Sequence, residues 1–437
     1  MINKQLINLS SPASGGGNAG EEGLILHLDA NDVDSYDGDG TEWVDITNHE
    51  YTPSTDVSEH FNTVLYTGNG SSSISVTGVG FQPDLIIQKN RDSGSSFNWY
   101  DSVRGATKLL YSTSTSAEIT YSGITSFDSD GFTNGSSENS NGQNYVTWCF
   151  KAGGAAVPNT DGSITSQVSA NNDLGFSIVD YTGNLTAATT ATGQSVGHGL
   201  DVPPELIIFK STSNSTASWN VFSSELDNWS TRLQLNTDGA KSDLYSQYPI
   251  ANPTGSVFYT NYLSAVNVDN YNHIAYCFAS KRGVSKVGSY TGTGAAGNKV
   301  YTGFEPAFVM IKSTSFVERW VIYDNKRSEE NPRSKVLAPN STSSEIDTVY
   351  YNIDFNSDGF TVNGTANFTN NNGGEFIYYA VAKSTNETSL IPTKDSFTAG
   401  SVETTDIELN LDANTYSGSG NWLDGTSNDY DGTITGA

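Results

Sequence analysis

Residues 80–89 read GFQPDLIIQK, residues 203–210 read PPELIIFK and residues 303–312 read GFEPAFVMIK. Each stretch places a proline ahead of an apolar run that closes on a lysine. An apolar run without polar alternation is the pattern of a strand covered on both faces. Pro83, Pro204 and Pro306 fit a strand's first residue, where a missing N–H costs least. One central strand is therefore predicted three times in a single chain.

The surroundings repeat as well. Upstream of each run stands Tyr-Thr-Gly, at Tyr66, Tyr181 and Tyr290, about 110 residues apart. Downstream of each comes a tryptophan, Trp99, Trp219 or Trp320. FDSDGFT (127–133) matches FNSDGFT (355–361), with a degenerate counterpart near GSVFYT (255–260). Asp-Gly between strand-like flanks is a strong turn signal. Each unit closes on an aromatic strand, YVTWCFKA (145–152), HIAYCFAS (273–280) or FIYYAVAK (376–383).

Aligning these closing strands puts Cys149, Cys277 and Ala380 in one slot. A slot that accepts Cys, Cys and Ala is small and buried, and cysteine there acts as a compact apolar residue. Core packing is thus expected for both cysteines in preference to a bridge. The recurring tryptophans also read as core.

Composition agrees. The chain of 437 residues is 16% charged and holds 43 Gly, 23 Tyr and 19 Phe, which favours strands joined by polar turns. The fold class expected is all-β: tandem β-sandwich, jelly-roll-like repeats with short terminal strand segments. One short helix per unit fits best at RGATKLLYS (104–112). The formal net charge of -27 argues against nucleic acid as a partner, since a phosphate backbone would be repelled. No apolar stretch approaches the ~20 residues of a membrane span, so no membrane partner is expected either.

The expected organisation is an N-terminal anchor and flexible linker (1–22), a short segment (23–58), repeats at 59–156, 172–284 and 285–385, and a final segment (404–437). Each repeat is expected to close its own core. The two short segments are themselves a duplication: LHLDANDVDSYDGDGTEWVDITN (26–48) matches LNLDANTYSGSGNWLDGTSN (409–428).

These bracketing pieces resemble the opening strands of concanavalin-A-like, laminin-G-like lectin domains, truncated relative to that jelly roll. The repeats, with YDSVRGATK, FDSDGF and YVTWCFKAGG, resemble a domain common in virion structural proteins of marine bacteriophages, notably those of cyanobacteria. The resemblance implies a fibre or decoration protein on the virion surface, made in the host cytoplasm. Its implied partners are other virion proteins, through the N-terminal segment, and further copies of itself. It supplies no catalytic residues, and no enzyme is expected. The alternative is an adhesin recognising host glycans; a polysaccharide depolymerase is a third reading.

Candidate site residues are few. Asp32, Asp34, Asp37 and Asp39 gather carboxylates in a glycine-bearing loop, the chemistry that calcium prefers, although the spacing is not that of an EF-hand. A solvated acidic loop is the plainer reading, so the expected cofactor set is none or calcium. Asp128 and Asp130 form a second acidic pair that turn chemistry already explains. Tyr245, Tyr248 and Tyr259, in the least regular repeat, are the candidate ligand-binding aromatics. No zinc spacing, phosphate loop or nucleophile elbow occurs.

Overall fold

The computed structural model describes residues 56–186, 194–244 and 250–384, together with the backbone of the strands Leu6–Ser10, Leu24–Asp29, Asn421–Trp422 and Gly432–Thr433. Two compact units result, residues 53–387 and a second unit drawn from 1–52 and 388–437. In the second, Leu6–Ser10 pairs antiparallel with Leu24–Asp29, and Asn421–Trp422 with Gly432–Thr433. Within the segment expected to be an anchor and linker (1–22), Leu6–Ser10 is therefore a paired strand.

The larger unit is all-β, with three versions of one two-sheet sandwich. In the first, a six-stranded sheet runs in the order Phe61–Thr67, Asn144–Phe150, Leu85–Asn90, Asn98–Asp101, Lys108–Tyr111 and Ile119–Thr120. A three-stranded sheet, Ser73–Thr77, Gly131–Gly135 and Ile124–Asp128, covers it. The second repeat centres its sheet on Phe176–Thr182, Asn272–Phe278 and Leu206–Ser211. Residues 157–171, unassigned from sequence, add the strands Val157–Asn159 and Ser166–Asn171 to its edge. The third repeat places Glu375–Ala382 between Ser285–Thr291 and Pro306–Ser313. Residues 104–112 are not helical: Lys108–Tyr111 is a strand paired with Asn98–Asp101. Its alternation across a sheet overrides the local helix propensity of Ala106 to Leu109.

Tyr-Thr-Gly recurs because its tyrosine and glycine close the sandwich end. The hydroxyls of Tyr66, Tyr181 and Tyr290 donate to the carbonyls of Glu138, Val266 and Thr369, at 2.8, 2.5 and 2.6 Å. A Cβ on Gly68, Gly183 or Gly292 would stand 2.2 Å from a carbonyl oxygen of the returning loop, so only glycine fits. The next residue after each carbonyl acceptor, Asn139, Asn267 or Asn370, accepts a loop N–H through its side-chain oxygen.

The closing strand shows how the core is divided. Cys149, Cys277 and Ala380 stand opposite Ile86, Ile207 and Val309, confirming one slot. Both cysteines are buried and unbridged, and burial raises both thiol pKa values. The Cys149 face packs with Val76 and Phe132 inside its own sandwich, as the Cys277 face does with Val196 and Phe258. The alternate face is different. Trp148, Tyr276 and Tyr379 join one apolar cluster drawn from all three repeats. Within it Phe150 meets Phe278 and Phe308 at 6.2 and 6.1 Å between ring centroids, and Phe278 meets Tyr379 at 4.7 Å.

The expectation of self-contained cores is therefore corrected. A central strand that is apolar on both faces needs two covers, and its own small sheet supplies only one. The other two repeats supply the second.

Register also corrects the tryptophan slot. Ile86 pairs with Tyr100 and Ile207 with Phe222, which makes Phe97 the counterpart of Trp219. Val309 paired with Tyr323 places Trp320 in the same position. Trp99 lies two residues on, in the place of Val221 and Ile322. All three tryptophans are buried, as expected.

Candidate functional site: the seams between repeats

Each lysine that ends a central strand is buried, and it works across a boundary. Lys210 Nζ donates to Ala217 O of its own turn at 2.8 Å and to Thr115 O of the first repeat at 2.9 Å. Lys312 repeats this with Glu318 O at 2.6 Å and Asp238 O of the second repeat at 3.1 Å. Lys89 does so with Ser95 O at 2.8 Å and Thr342 O of the third repeat at 3.3 Å. Burial pushes all three ammonium groups down to about 8. At neutral pH they remain charged, with carbonyl oxygens replacing water.

Backbone bonds run the other way across the same boundaries. Glu118 N donates to Thr212 O at 2.9 Å, Lys241 N to Thr314 O at 2.9 Å and Glu345 N to Arg91 O at 2.8 Å. The second repeat thus grips the first, the third the second, and the first the third. These are head-to-tail contacts that close after three steps, the condition for a ring. A single chain builds what is otherwise the geometry of a trimer.

Two seams carry a buried charge network. Asp101 pairs with Arg104 at 2.5 Å and accepts from Tyr276 OH of the second repeat at 2.7 Å. Asp324 pairs with Arg327 at 2.5 Å and accepts from Trp148 Nε1 of the first repeat at 3.0 Å. Glu118 and Glu345 extend the pairs at 3.2 Å, and Arg91 reaches Glu345 across the seam at 2.8 Å. The third seam is built otherwise. Ser223 and Leu226 replace the Asp–Arg pair, Lys241 replaces the glutamate, and the buried Tyr379 hydroxyl has no aspartate to donate to. Lys241 instead pairs with Glu375 of the third repeat at 3.3 Å.

The tryptophans belong to these seams. Trp219 Nε1 donates to Tyr111 O at 2.9 Å, and Trp320 Nε1 to Gln234 O at 3.0 Å. Where Phe97 stands, Ser112 Oγ reaches Pro339 O at 2.7 Å. The sequence signals for this role were the closing lysines and the shared spacing of Asp101-x-x-Arg104 and Asp324-x-x-Arg327.

The remaining candidates separate. Asp130 accepts the N–H groups of Gly78 and Gly80 at 3.1 and 2.7 Å, and those bonds, Gly80 first, hold its carboxyl below the usual range. Asp128 accepts from Ser126 and Thr133. Asp130 thus braces the 78–80 segment and Asp128 the hairpin of Ile124–Asp128 and Gly131–Gly135, and neither side chain bonds the backbone of its own turn. Among the described residues no group of three or more His, Cys, Asp or Glu is arranged to hold a metal ion. Asp32, Asp34, Asp37, Asp39, Tyr245 and Tyr248 lie outside the described residues. Tyr259 is half-buried in Val257–Thr260, opposite Ser195. A shallow cleft of about 220 Å³ lies instead on the small sheet of the third repeat, where Tyr301, Asn356, Asp358 and Thr361 line it.

The class defined is an all-β body of three homologous sandwiches closed into a ring by recurring polar seams. Residues 56–385 match the family described as a domain of unknown function, DUF7483, and the chain belongs to that family. No curated protein matches the chain, and no solved structure does.

Proposed function

We propose that this protein is a structural component of a bacteriophage virion, an exposed fibre or decoration protein facing the host or the environment. The closed ring of three repeats carries the reading. It joins three sandwiches in one body through a shared apolar cluster and three polar seams, which suits a part selected for durability and display. The resemblance of YDSVRGATK, FDSDGF and YVTWCFKAGG to virion structural repeats supports the same assignment. The acidic surface keeps copies apart until they are seated on a particle. A tag in an internal loop, imaged on purified particles of the encoding phage, is expected to label the capsid or the tail. Particles bearing no label would overturn the proposal.

The repeat-3 cleft favours a second reading, an adhesin that recognises host glycans. A tyrosine beside an aspartate and an asparagine offers a ring for stacking and acceptors for hydroxyl groups. On this reading host surface polysaccharide raises the melting temperature, and Tyr301→Ala abolishes the rise. An equal rise in the variant places binding elsewhere and sinks the cleft.

A further inference from the structure

The interior of the first repeat differs from that of its two copies. Glu138 is 8% exposed and occupies the slot held by Val266 and Thr369 in the other repeats. Asn98 Nδ2 donates to Glu138 Oε1 at 2.5 Å. Among the polar atoms without a partner are Asn98 Oδ1, Gln88 Oε1 and Thr147 Oγ1. Thr147, Gln88 and Asn98 stand directly opposite one another on three adjacent strands, and Tyr100 follows two residues on, on the same face. In the second repeat the same row reads Ala275, Phe209, Asn220 and Phe222, and in the third Tyr378, Ile311, Val321 and Tyr323. In the first repeat this row is polar, and its Asn98 meets a buried carboxyl.

The groups facing Glu138 are Lys89 from Leu85–Asn90, Tyr66 from Phe61–Thr67, Tyr100 from Asn98–Asp101 and Tyr111 from Lys108–Tyr111. Lys89 alone among them is charged at neutral pH, and its ammonium is committed to the Ser93, Ser95 and Thr342 carbonyls. An ionised Glu138 would thus be a buried anion with one amide donor, a costly arrangement. A neutral acid removes the cost: its O–H supplies the donor that Asn98 Oδ1 lacks, while Asn98 Nδ2 still donates to Oε1. Acid and amide then satisfy each other on both edges.

We infer that Glu138 is a pH-sensitive latch, closed as a neutral acid on Asn98 and released by ionisation, which loosens the loop end of the first repeat. The route is short. Glu138 ends the 3-10 turn Ser136–Glu138 and its carbonyl accepts from Tyr66 OH, while the next residue, Asn139, holds Asn69 and Ser71. Displacing this turn frees both clamps of the 68–71 loop. Burial, opposed by the Asn98 bond and by Lys89, pushes the carboxyl up to about 7, placing release near neutrality.

The sign follows from proton linkage. The folded state binds the proton more tightly than the unfolded chain, so this stabilisation is full below about pH 4.5 and is lost as pH rises through about 7. The test uses the full chain between about pH 5 and 7.5; the buried lysines begin to lose protons only at the top of that interval, in wild type and variant alike, so the comparison between the two proteins cancels them. Wild type is expected to lose about 4 °C of melting temperature more than Glu138→Gln over that interval. Asp180 also titrates there, because burial, with Asp101 beside it, pushes it up to about 6; Asp180→Asn is the control. Amide exchange at residues 66–71 and 136–145, corrected for intrinsic rates, is expected to accelerate on raising the pH in wild type and not in Glu138→Gln. Equal pH slopes in both proteins would overturn the inference. So would a slope that vanishes in Asp180→Asn while persisting in Glu138→Gln. Should Glu138→Gln fold poorly, Asn98→Leu provides the second variant: it removes the amide partner and should shift the exchange transition to a different pH.

Discussion

Replacing Arg104 with leucine is expected to destabilise the ring by about 3–5 kcal/mol, the usual cost of leaving one buried partner of an ion pair unmatched. Asp101 is fully buried and pairs with Arg104 at 2.5 Å, so the variant would leave its carboxylate buried without that counter-ion. Converting both residues, Asp101→Ser with Arg104→Leu, should recover most of the loss, to within about 1–2 kcal/mol of wild type. The chain already contains that replacement, because the second repeat carries Ser223 and Leu226 at these positions. The residual cost has two sources: Tyr276 OH would lose its aspartate acceptor, as Tyr379 has none in the third seam, and Glu118 would keep only Lys108 as a partner. Urea denaturation midpoints at constant slope measure both variants. A double variant as unstable as Arg104→Leu would show that the neutral seam is not interchangeable with the charged one.

That comparison is available only because the repeats are homologous but not identical, and the same property governs what sequence could reveal. The unbroken runs 85–89, 206–210 and 308–312 announced strands buried on both faces, and they are. The Cys149, Cys277, Ala380 slot was legible because those strands align without gaps. The tryptophan slot was misaligned by two residues in the first repeat. Identity favours matching Trp99 to Trp219, whereas strand pairing matches Phe97 to it. Ring closure left little trace in residue type, since most of it runs through carbonyls that every residue carries. What covers the second face of a strand is a question of who lies opposite, and a chain read linearly does not answer it. Glu138 was missed for a related reason. It is one acid among 48 acidic residues, and only its place in the slot that Val266 and Thr369 fill in the other repeats sets it apart.

Truncating Trp219 to alanine is expected to cost about 3–5 kcal/mol, as deletion of a large buried aromatic does. Its indole is fully buried, meets Trp99 of the first repeat at 5.1 Å between centroids, stacks with Tyr276 at 6.5 Å, and donates to Tyr111 O across the seam. The location of the loss distinguishes two architectures. If each repeat closed its own core, amide-exchange protection would fall in the second repeat alone. With one apolar cluster drawn from all three repeats, the unit unfolds cooperatively, so the slowest amides of Leu85–Asn90 and Pro306–Ser313 should lose protection together with those of Leu206–Ser211. Calorimetry should accordingly give one transition for residues 53–387, with the variant shifted as a whole. Selective loss in the second repeat would mean that the seams join finished domains. Uniform loss would mean that no repeat is complete without its two neighbours, which is why the lysine and backbone bonds that close the ring recur at every seam while the charged pairs beside them vary.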